Sequence, residues 1–381
     1  MPRFAPPFEL LPSPSNFLQA SVVIPARDEE HSICKTLDSL AHSCDANGKR
    51  LDPRTWEVLL LCNNCHDDTA QVARAWAARR SHLAVHIVEG WFDANEANIG
   101  TVRRILMDAA CARLESLPQD ESTPRFIAST DADTCVERLW LWANESEIRA
   151  GAEAVGGRIL VEPDGDRQTR KTYLFDTAYR LLAARLESVL DPQQSDPWPR
   201  HFQFFGASLC LTPRAYRCVG GVPHVPCLED MALERELWRS DVSIRRSPRV
   251  RVRTSARQGG RVACGLSTQL REWDELGGER KAWLVPSGEE IAWKARLRKR
   301  LHAVFSRTTD SEGQELESVA VALCLSPDEL RERTQSAQHF GALWDDVWNA
   351  AWSNPNVRAQ WSPVPVSAAL SQMRALLASS M

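Results

Sequence analysis

Arg125-Phe-Ile-Ala-Ser-Thr-Asp-Ala-Asp-Thr134 is the stretch from which the rest of the chain takes its meaning. Phe126-Ile127-Ala128 is an apolar run of the kind that ends a buried strand, and it stops at Asp131-Ala132-Asp133. Alternate positions of an extended segment point the same way, so Asp131 and Asp133 can present two carboxylates together. No lysine lies between them to offset the repulsion. A hard divalent cation suits such oxygen ligands and commonly completes its shell with water and substrate phosphate. An Asp-X-Asp at a solvated turn is also common by chance, so the surrounding sequence has to decide.

Upstream, short apolar runs alternate with helical patterns. Ser21-Val-Val-Ile-Pro25 is a β-branched run closed by proline, and Ala26-Arg-Asp-Glu-Glu30 leads into a helix from about Glu29 to Ser43 with Ile33, Leu37 and Leu40 on one face. Trp56-Glu-Val-Leu-Leu-Leu-Cys62 is a second strand, followed by Asn63-Asn-Cys-His-Asp-Asp-Thr69, a polar turn rich in helix-capping residues. Leu83 to Val88 is a third strand, and Asn98-Ile-Gly100 opens a helix that runs to about Leu114. Strands alternating with helices predict an α/β fold with a mostly parallel sheet covered on both faces. Ligands of such sheets bind outside the carboxyl ends of the strands, where Pro25, Asn63 and Asp131 all lie.

Beyond the aspartates the pattern predicts a helix from Val136 to Ala150, a fifth strand at Ala154 to Val161 and a long helix from Asp166 to Leu190. A proline-rich loop follows at Asp191 to Arg200, then a sixth strand at Gln203 to Leu211. Tyr216 to Gly221 ends a helix on glycine. Glu229-Asp230 opens the next helix, where acids also suit the dipole, and Val242 to Arg253 alternates apolar with basic residues as a half-exposed strand. Helical patterning continues to the end, broken near 310, 325 and 354–366. The expected division is an N-terminal arm at 1–19, an α/β domain at 20–262 and a helical C-terminal region at 263–381.

Composition narrows the function classes. With 381 residues, 43% hydrophobic and 25% charged, the chain has the make-up of a soluble globular protein. A net charge of −4 predicts no nucleic-acid partner. No apolar run is long enough to span a bilayer, and residues 1–7 lack the apolar core of a signal peptide, so a cytoplasmic location is expected. Eleven cysteines, an odd number scattered among strands and helices, read mainly as free thiols. Cys62-Asn-Asn-Cys65 is formally C-x-x-C, here assigned to turn and core packing rather than to redox use or zinc. Trp140, Trp142, Trp344, Trp348 and Trp352 read as helix-packing anchors, whereas Trp91 and Trp198 stand in loops where they can stack on a sugar or base. The first turn lacks the Gly-X-Gly-X-X-Gly of a dinucleotide-dependent oxidoreductase and the glycine-rich segment of a nucleotidyltransferase.

Val22 to Glu29, Asn63 to Thr69, Asn98 to Arg103, Asp131-Ala-Asp133, Gly206-Ala-Ser208, Gly220-Gly221 and Glu229-Asp230, in that order, make residues 20–262 similar to the family 2 glycosyltransferases of the GT-A fold. The resemblance implies a nucleotide-sugar donor, a Mn2+ or Mg2+ ion held at Asp131 and Asp133, and usually inversion at the anomeric carbon. It assigns Asp230 as the catalytic base with Glu229 beside it, and Pro25, Ala26, Arg27 and Glu29 to the base and ribose. Asn63, Arg103 and Ala132 would line the nucleotide. Arg257 and Arg261 are candidate diphosphate partners, since arginine forks match phosphate oxygens. His224 is the nearest candidate for a third metal ligand. Two departures stand out. Many relatives have Asp-Asp where this chain has Cys62-Asn63, which puts a uridine donor in doubt, and Arg257-Gln-Gly-Gly-Arg261 replaces the Trp-containing loop of relatives that extrude polymers. The expected enzyme therefore makes single transfers to a soluble acceptor, with a retaining transferase, a nucleotidyltransferase and an inactive nucleotide-sugar-binding scaffold as alternatives. The C-terminal region either covers the acceptor site or forms a homodimer.

Overall fold

The fold is a computed structural model that describes residues 8–118, 120, 122–161, 167–254, 283–306 and 312–379. Its centre is β1, Ala20–Ala26, in which all seven residues are buried. β2, Trp56–Asn63, is likewise buried throughout. Burial on both faces is why these strands read as continuous apolar runs rather than alternating ones. β1 pairs in parallel with β2, Ala20 opposite Trp56 through Ala26 opposite Cys62, and on its other side with β4, Phe126–Ser129, Ala20 opposite Phe126. β3, Ala84–Gly90, extends the parallel part beyond β2. α1, Ile33–Ala41, α2, Thr69–Ala78, and α3, Ile99–Glu115, follow β1, β2 and β3 in the expected alternation.

The second half of the sheet is not parallel throughout. The full order is β3-β2-β1-β4-β7-β6-β8-β5. β7, Leu209–Leu211, runs antiparallel to both β4 and β6, Ala154–Val161. β8, Ile244–Thr254, pairs in parallel with β6 and antiparallel with β5, Thr134–Val136. Two expectations change here. The helix predicted from Val136 starts at Trp140 as α4, Trp140–Arg149, because Thr134–Val136 is taken up as an edge strand on β8. In the predicted strand Gln203 to Leu211 only the last three residues pair, and Gly206–Ser208 forms a single 3-10 turn. α5 is Arg167–Leu190, α6 Pro213–Cys218 and α7 Glu229–Arg239.

Buried ion pairs pin the helices to the sheet. Glu57 on β2 is 2% exposed and takes two bonds from Arg113 on α3, at 2.8 and 2.6 Å. Burial pushes its carboxyl up, but Arg113 and His86 more than reverse this and hold it at about 2.

The chain divides into two compact units, Met1–Asp164 with Gln203–Glu236 and Ser243–Leu270, and Gly165–Phe202 with Leu237–Val242 and Arg271–Met381. The first holds the sheet and a core that includes Ile24, Leu37, Leu60, Phe126 and Trp140. The second is built from α5 and the helices Gly288–Phe305, Glu312–Ala322, Pro327–Ser336, Phe340–Ser353, Pro355–Arg358 and Val366–Ser379. One of its cores gathers Leu301, Val319, Leu343 and Val347, another Leu186, Ala292, Leu370 and Met373. Trp344, Trp348 and Trp352 stack along one helix, with ring centroids 5.7 and 5.3 Å apart. Asp241 accepts from the backbone N–H of Phe340 at 2.8 Å and Gly341 at 2.7 Å, closing the start of that helix. Among the described residues no helix is long and apolar enough to cross a membrane.

Candidate active site

β1, β2 and β4 run in parallel, so their carboxyl ends share one edge of the sheet. From β1 the chain goes outward to β2 and β3 and returns on the other side at β4, which makes the gap between β1 and β4 the topological switch point. Residues 25–29 lie on one side of it and Thr130 to Asp133 on the other. Thr130 N–H donates to the Val23 carbonyl at 3.2 Å, and Thr36 Oγ1 donates to the Ala132 carbonyl at 2.9 Å, which fixes the aspartate turn against β1 and α1. Ala132 is buried, while Asp131 and Asp133 are half-buried.

Arg103, on the first turns of α3, is the hub. Only 2% exposed, it sends Nε to Glu229 Oε1 at 3.0 Å, Nη2 to Asp131 Oδ1 at 3.0 Å, and Nη1 to the Gly206 carbonyl at 3.0 Å and to the Ser129 hydroxyl. Its placement explains the 3-10 turn at Gly206. A Cβ on that residue would stand 2.9 Å from Arg103 Nη1 and closer still to Nη2 and Cζ, so only glycine leaves room for the guanidinium. Burial works against the charged guanidinium, but Asp131, Glu229 and Asp230 outweigh it and raise its pKa. Arg103 thus sits among carboxylates at the base of the site, with little surface left for a direct nucleotide contact.

Glu229 and Asp230 begin α7, directly after Leu228, whose left-handed φ of 57 is costly for a branched residue. Their side chains diverge. Glu229, 4% exposed, turns inward to Arg103. Asp230 accepts from the Gly206 backbone N–H at 2.9 Å and from the Met231 N–H at 2.8 Å. Burial first, and then the charge of Glu229, push the Asp230 carboxyl up, against the opposing pull of the Gly206 N–H, Arg103 and the Met231 N–H. Gly206 therefore joins the two acidic segments: its carbonyl faces Arg103 and its N–H faces Asp230.

The loops that follow β1 and β2 form a mesh. Asp28 and Asn64 each occupy the left-handed region, at φ 50 and 48, which Asn and Asp tolerate best. Glu29 N–H donates to Thr69 Oγ1 at 2.7 Å, Glu30 N–H to Asp67 Oδ2 at 3.0 Å, and His66 N–H to Asp28 Oδ1 at 2.7 Å. Pro25 and Ala26 are buried within β1, and Asn63 is 6% exposed at the end of β2. Arg27 is half-buried, with Nη1 3.5 Å from the Ala97 carbonyl. Trp91 is 54% exposed, edge-on to His66 at 5.4 Å. His224 is exposed, and Arg257 and Arg261 lie outside the described residues.

Asp131 and Asp133 are half-buried carboxylates just beyond the end of β4, oxygen donors of the kind that suits a hard divalent cation. Asp131 keeps 36% of its side chain exposed despite Arg103. Among the described residues, the one cluster of three closely spaced potential ligands is Asp28, Cys65 and Asp67, whose carboxylates already accept loop N–H groups. Sequence reasoning missed Ser129 as part of the site; it carries no signal apart from its position at the end of a strand.

No family model matches the chain, and no curated protein matches it. Among solved structures it is similar to S. aureus TarS residues 1–349 in complex with UDP-GlcNAc, at 14% identity over 88% of this chain and 91% of that one, TM-score 0.45. It is also similar to the mannosyltransferase PcManGT of Pyrobaculum calidifontis in complex with GDP-Man and Mn2+, at 13% identity over 98% and 91%, TM-score 0.43. A third is the Mycobacterium tuberculosis glucosyl-3-phosphoglycerate synthase in complex with Mn2+, UDP-Glc and phosphoglyceric acid, at 18% identity over 70% and 84%, TM-score 0.37.

Proposed function

We propose that the chain is a metal-dependent glycosyltransferase of GT-A type. It moves a sugar from a nucleoside-diphosphate donor to an acceptor hydroxyl, with inversion, in single transfers to a soluble acceptor. The observation that carries this reading is the joining of the Asp131-Ala-Asp133 turn and the Glu229-Asp230 helix start through Arg103 and Gly206. The catalytic domain is residues 20–262, with the donor nucleotide across the ends of β1 and β2, between Arg27, Glu29 and the turn at Asn63.

A Mn2+ or Mg2+ ion at Asp131 and Asp133, when bound, supplies Lewis-acid stabilisation of the leaving diphosphate. The residues of the chain do the rest. Asp230 accepts the proton of the attacking hydroxyl at a carboxylate oxygen. Its raised pKa makes it a stronger base than an ordinary aspartate. The N–H groups of Gly206 and Met231 hold its carboxylate in place without taking up both lone pairs of either oxygen. Glu229 acts through its charge and through Arg103, as a positioning residue. Arg103 sets the aspartate turn and the helix start in register, and so fixes the distance between the base and the diphosphate side.

The test is release of nucleoside diphosphate from a panel of UDP- and GDP-sugars with Mn2+. The wild type is expected to hydrolyse or transfer at least one donor, and Asp230→Asn to lower turnover about a hundredfold or more. No release from any donor, or unchanged turnover in Asp230→Asn, would overturn the assignment.

A further inference from the structure

Cys62 ends β2 and Cys65 stands in the turn that follows it, and nothing in the proposed transfer reaction uses them. Cys62 is 2% exposed and lies opposite Ala26 in the β1–β2 ladder, and Cys65 packs against the core cluster to which Cys62 belongs. Cys65 is half-buried. Its sulfur lies where the two donor loops meet: the Asp28 N–H donates to Sγ at 3.4 Å, and Sγ lies 3.7 Å from the carbonyl of Ala26, the residue opposite Cys62 in the ladder. A buried thiol beside a partly accessible one within a C-x-x-C turn is the arrangement of a resolving and an attacking cysteine.

We propose that Cys62 and Cys65 form a reversible redox pair, closed to a disulfide by a small disulfide oxidant of the glutathione type. The Cys65 thiolate attacks one sulfur of oxidised glutathione, forming a mixed disulfide and releasing one glutathione thiolate. The Cys62 thiol gives up its proton and attacks the Cys65 sulfur, forming the Cys62–Cys65 bond and expelling the second glutathione, which leaves as the thiol. Two protein thiols are oxidised, and one glutathione disulfide is reduced to two thiols. The order of attack follows from the surroundings. The neighbouring Cys62 first, and then the Asp28 N–H, lower the Cys65 thiol to about 7 against the effect of burial, whereas Cys65 and burial push Cys62 up. Cys65 is therefore the readier of the two to act as the thiolate.

Closing the bond withdraws the Cys65 sulfur from the Asp28 N–H. Asp28 also holds His66, and the adjoining Glu29 and Glu30 hold Thr69 and Asp67, so the movement passes into both loops. Its consequence is weaker donor binding, and this consequence rests on the function proposed above; the disulfide itself does not.

The full chain is equilibrated in glutathione buffers of increasing disulfide fraction, acid-quenched, alkylated and digested, and the peptide carrying both cysteines is quantified by mass. The doubly alkylated peptide is expected to give way to one lighter by two hydrogens, and dithiothreitol to reverse it. Cys62→Ser, or Cys62→Ala where the serine variant does not fold, should accumulate glutathione on Cys65. Cys65→Ser should leave Cys62 reduced. A wild-type peptide that stays doubly alkylated in the most oxidising buffer, or that holds glutathione on Cys65 unresolved, would overturn the pair. In the Mn2+-loaded protein, disulfide formation should weaken nucleoside-diphosphate affinity tenfold or more. A disulfide with unchanged affinity would overturn the link to the donor, while absence of nucleotide binding in both redox states would count against the proposed function and leave the pair standing.

Discussion

Replacing Arg103 with methionine removes a cation shared by the two acidic segments while roughly keeping the side-chain volume. The cost is unevenly distributed. Glu229 and Arg103 have side-chain exposures of 5% and 3%, so Arg103→Met leaves Glu229 as an uncompensated buried charge. Breaking such a pair costs about 3–5 kcal/mol. Asp131 is 36% exposed and turns to water, adding less than about 1 kcal/mol. The Ser129 hydroxyl already donates to the Gly206 carbonyl at 3.0 Å, so these two groups satisfy each other and add little. The expected loss is therefore about 3–5 kcal/mol, a large share of the stability of an ordinary domain. In urea, with an m-value of about 3 kcal/mol/M, the midpoint should fall by about 1 M or more. Because the loss resides in Glu229, adding Glu229→Gln to Arg103→Met should recover at least half of it. A loss below about 1 kcal/mol, or no recovery in the double variant, would refute the hub assignment.

Further outcomes follow from the same structure. The raised Asp230 pKa means that the folded state binds this proton more tightly than the unfolded chain, so stability rises as pH falls through the folded value and the full penalty is present above it. Asp230→Asn should therefore melt above the wild type at pH 7, with the gap closing as pH falls towards the ordinary carboxyl range; equal melting at every pH would remove the burial argument. In the helical unit, Asp241→Asn keeps a residue that tolerates the left-handed φ of 52 but loses one of two acceptors and the charge at the start of the helix Phe340–Ser353. A loss of about 1 kcal/mol is expected in urea unfolding, and an unchanged midpoint would show that Asp241 does not hold this helix end.

The alternation of strands and helices through the first half of the chain was legible because β1 and β2 are buried on both faces and helix follows strand at regular intervals. The turn at Asp131 was legible only together with the other motifs in order, because an Asp-X-Asp after a strand is common by chance. Other features depend on partners far away in sequence. Arg103 reads as a base that faces the nucleotide, and only Asp131, Glu229 and the missing side chain of Gly206 make it a buried hub. The edge strand Thr134–Val136 exists because β8 offers it a ladder, and its three residues are too few to show a period. The short length of β7 has the same origin, since Gly206 serves Arg103 and Asp230 rather than the sheet. Cys62 and Cys65 looked like packing because spacing alone does not reveal that the Cys65 sulfur lies against the backbone of Ala26 and Asp28.

Calorimetric titration of UDP and GDP into the wild type and Asp133→Ala, each with and without Mn2+, tests the central claim most directly. The account predicts that at least one nucleoside diphosphate binds the wild type tenfold or more tightly with Mn2+ than without, and that Asp133→Ala binds it equally weakly in both conditions while keeping the wild-type circular dichroism spectrum. Mn2+-independent affinity in the wild type, or a full Mn2+ enhancement in Asp133→Ala, would contradict it.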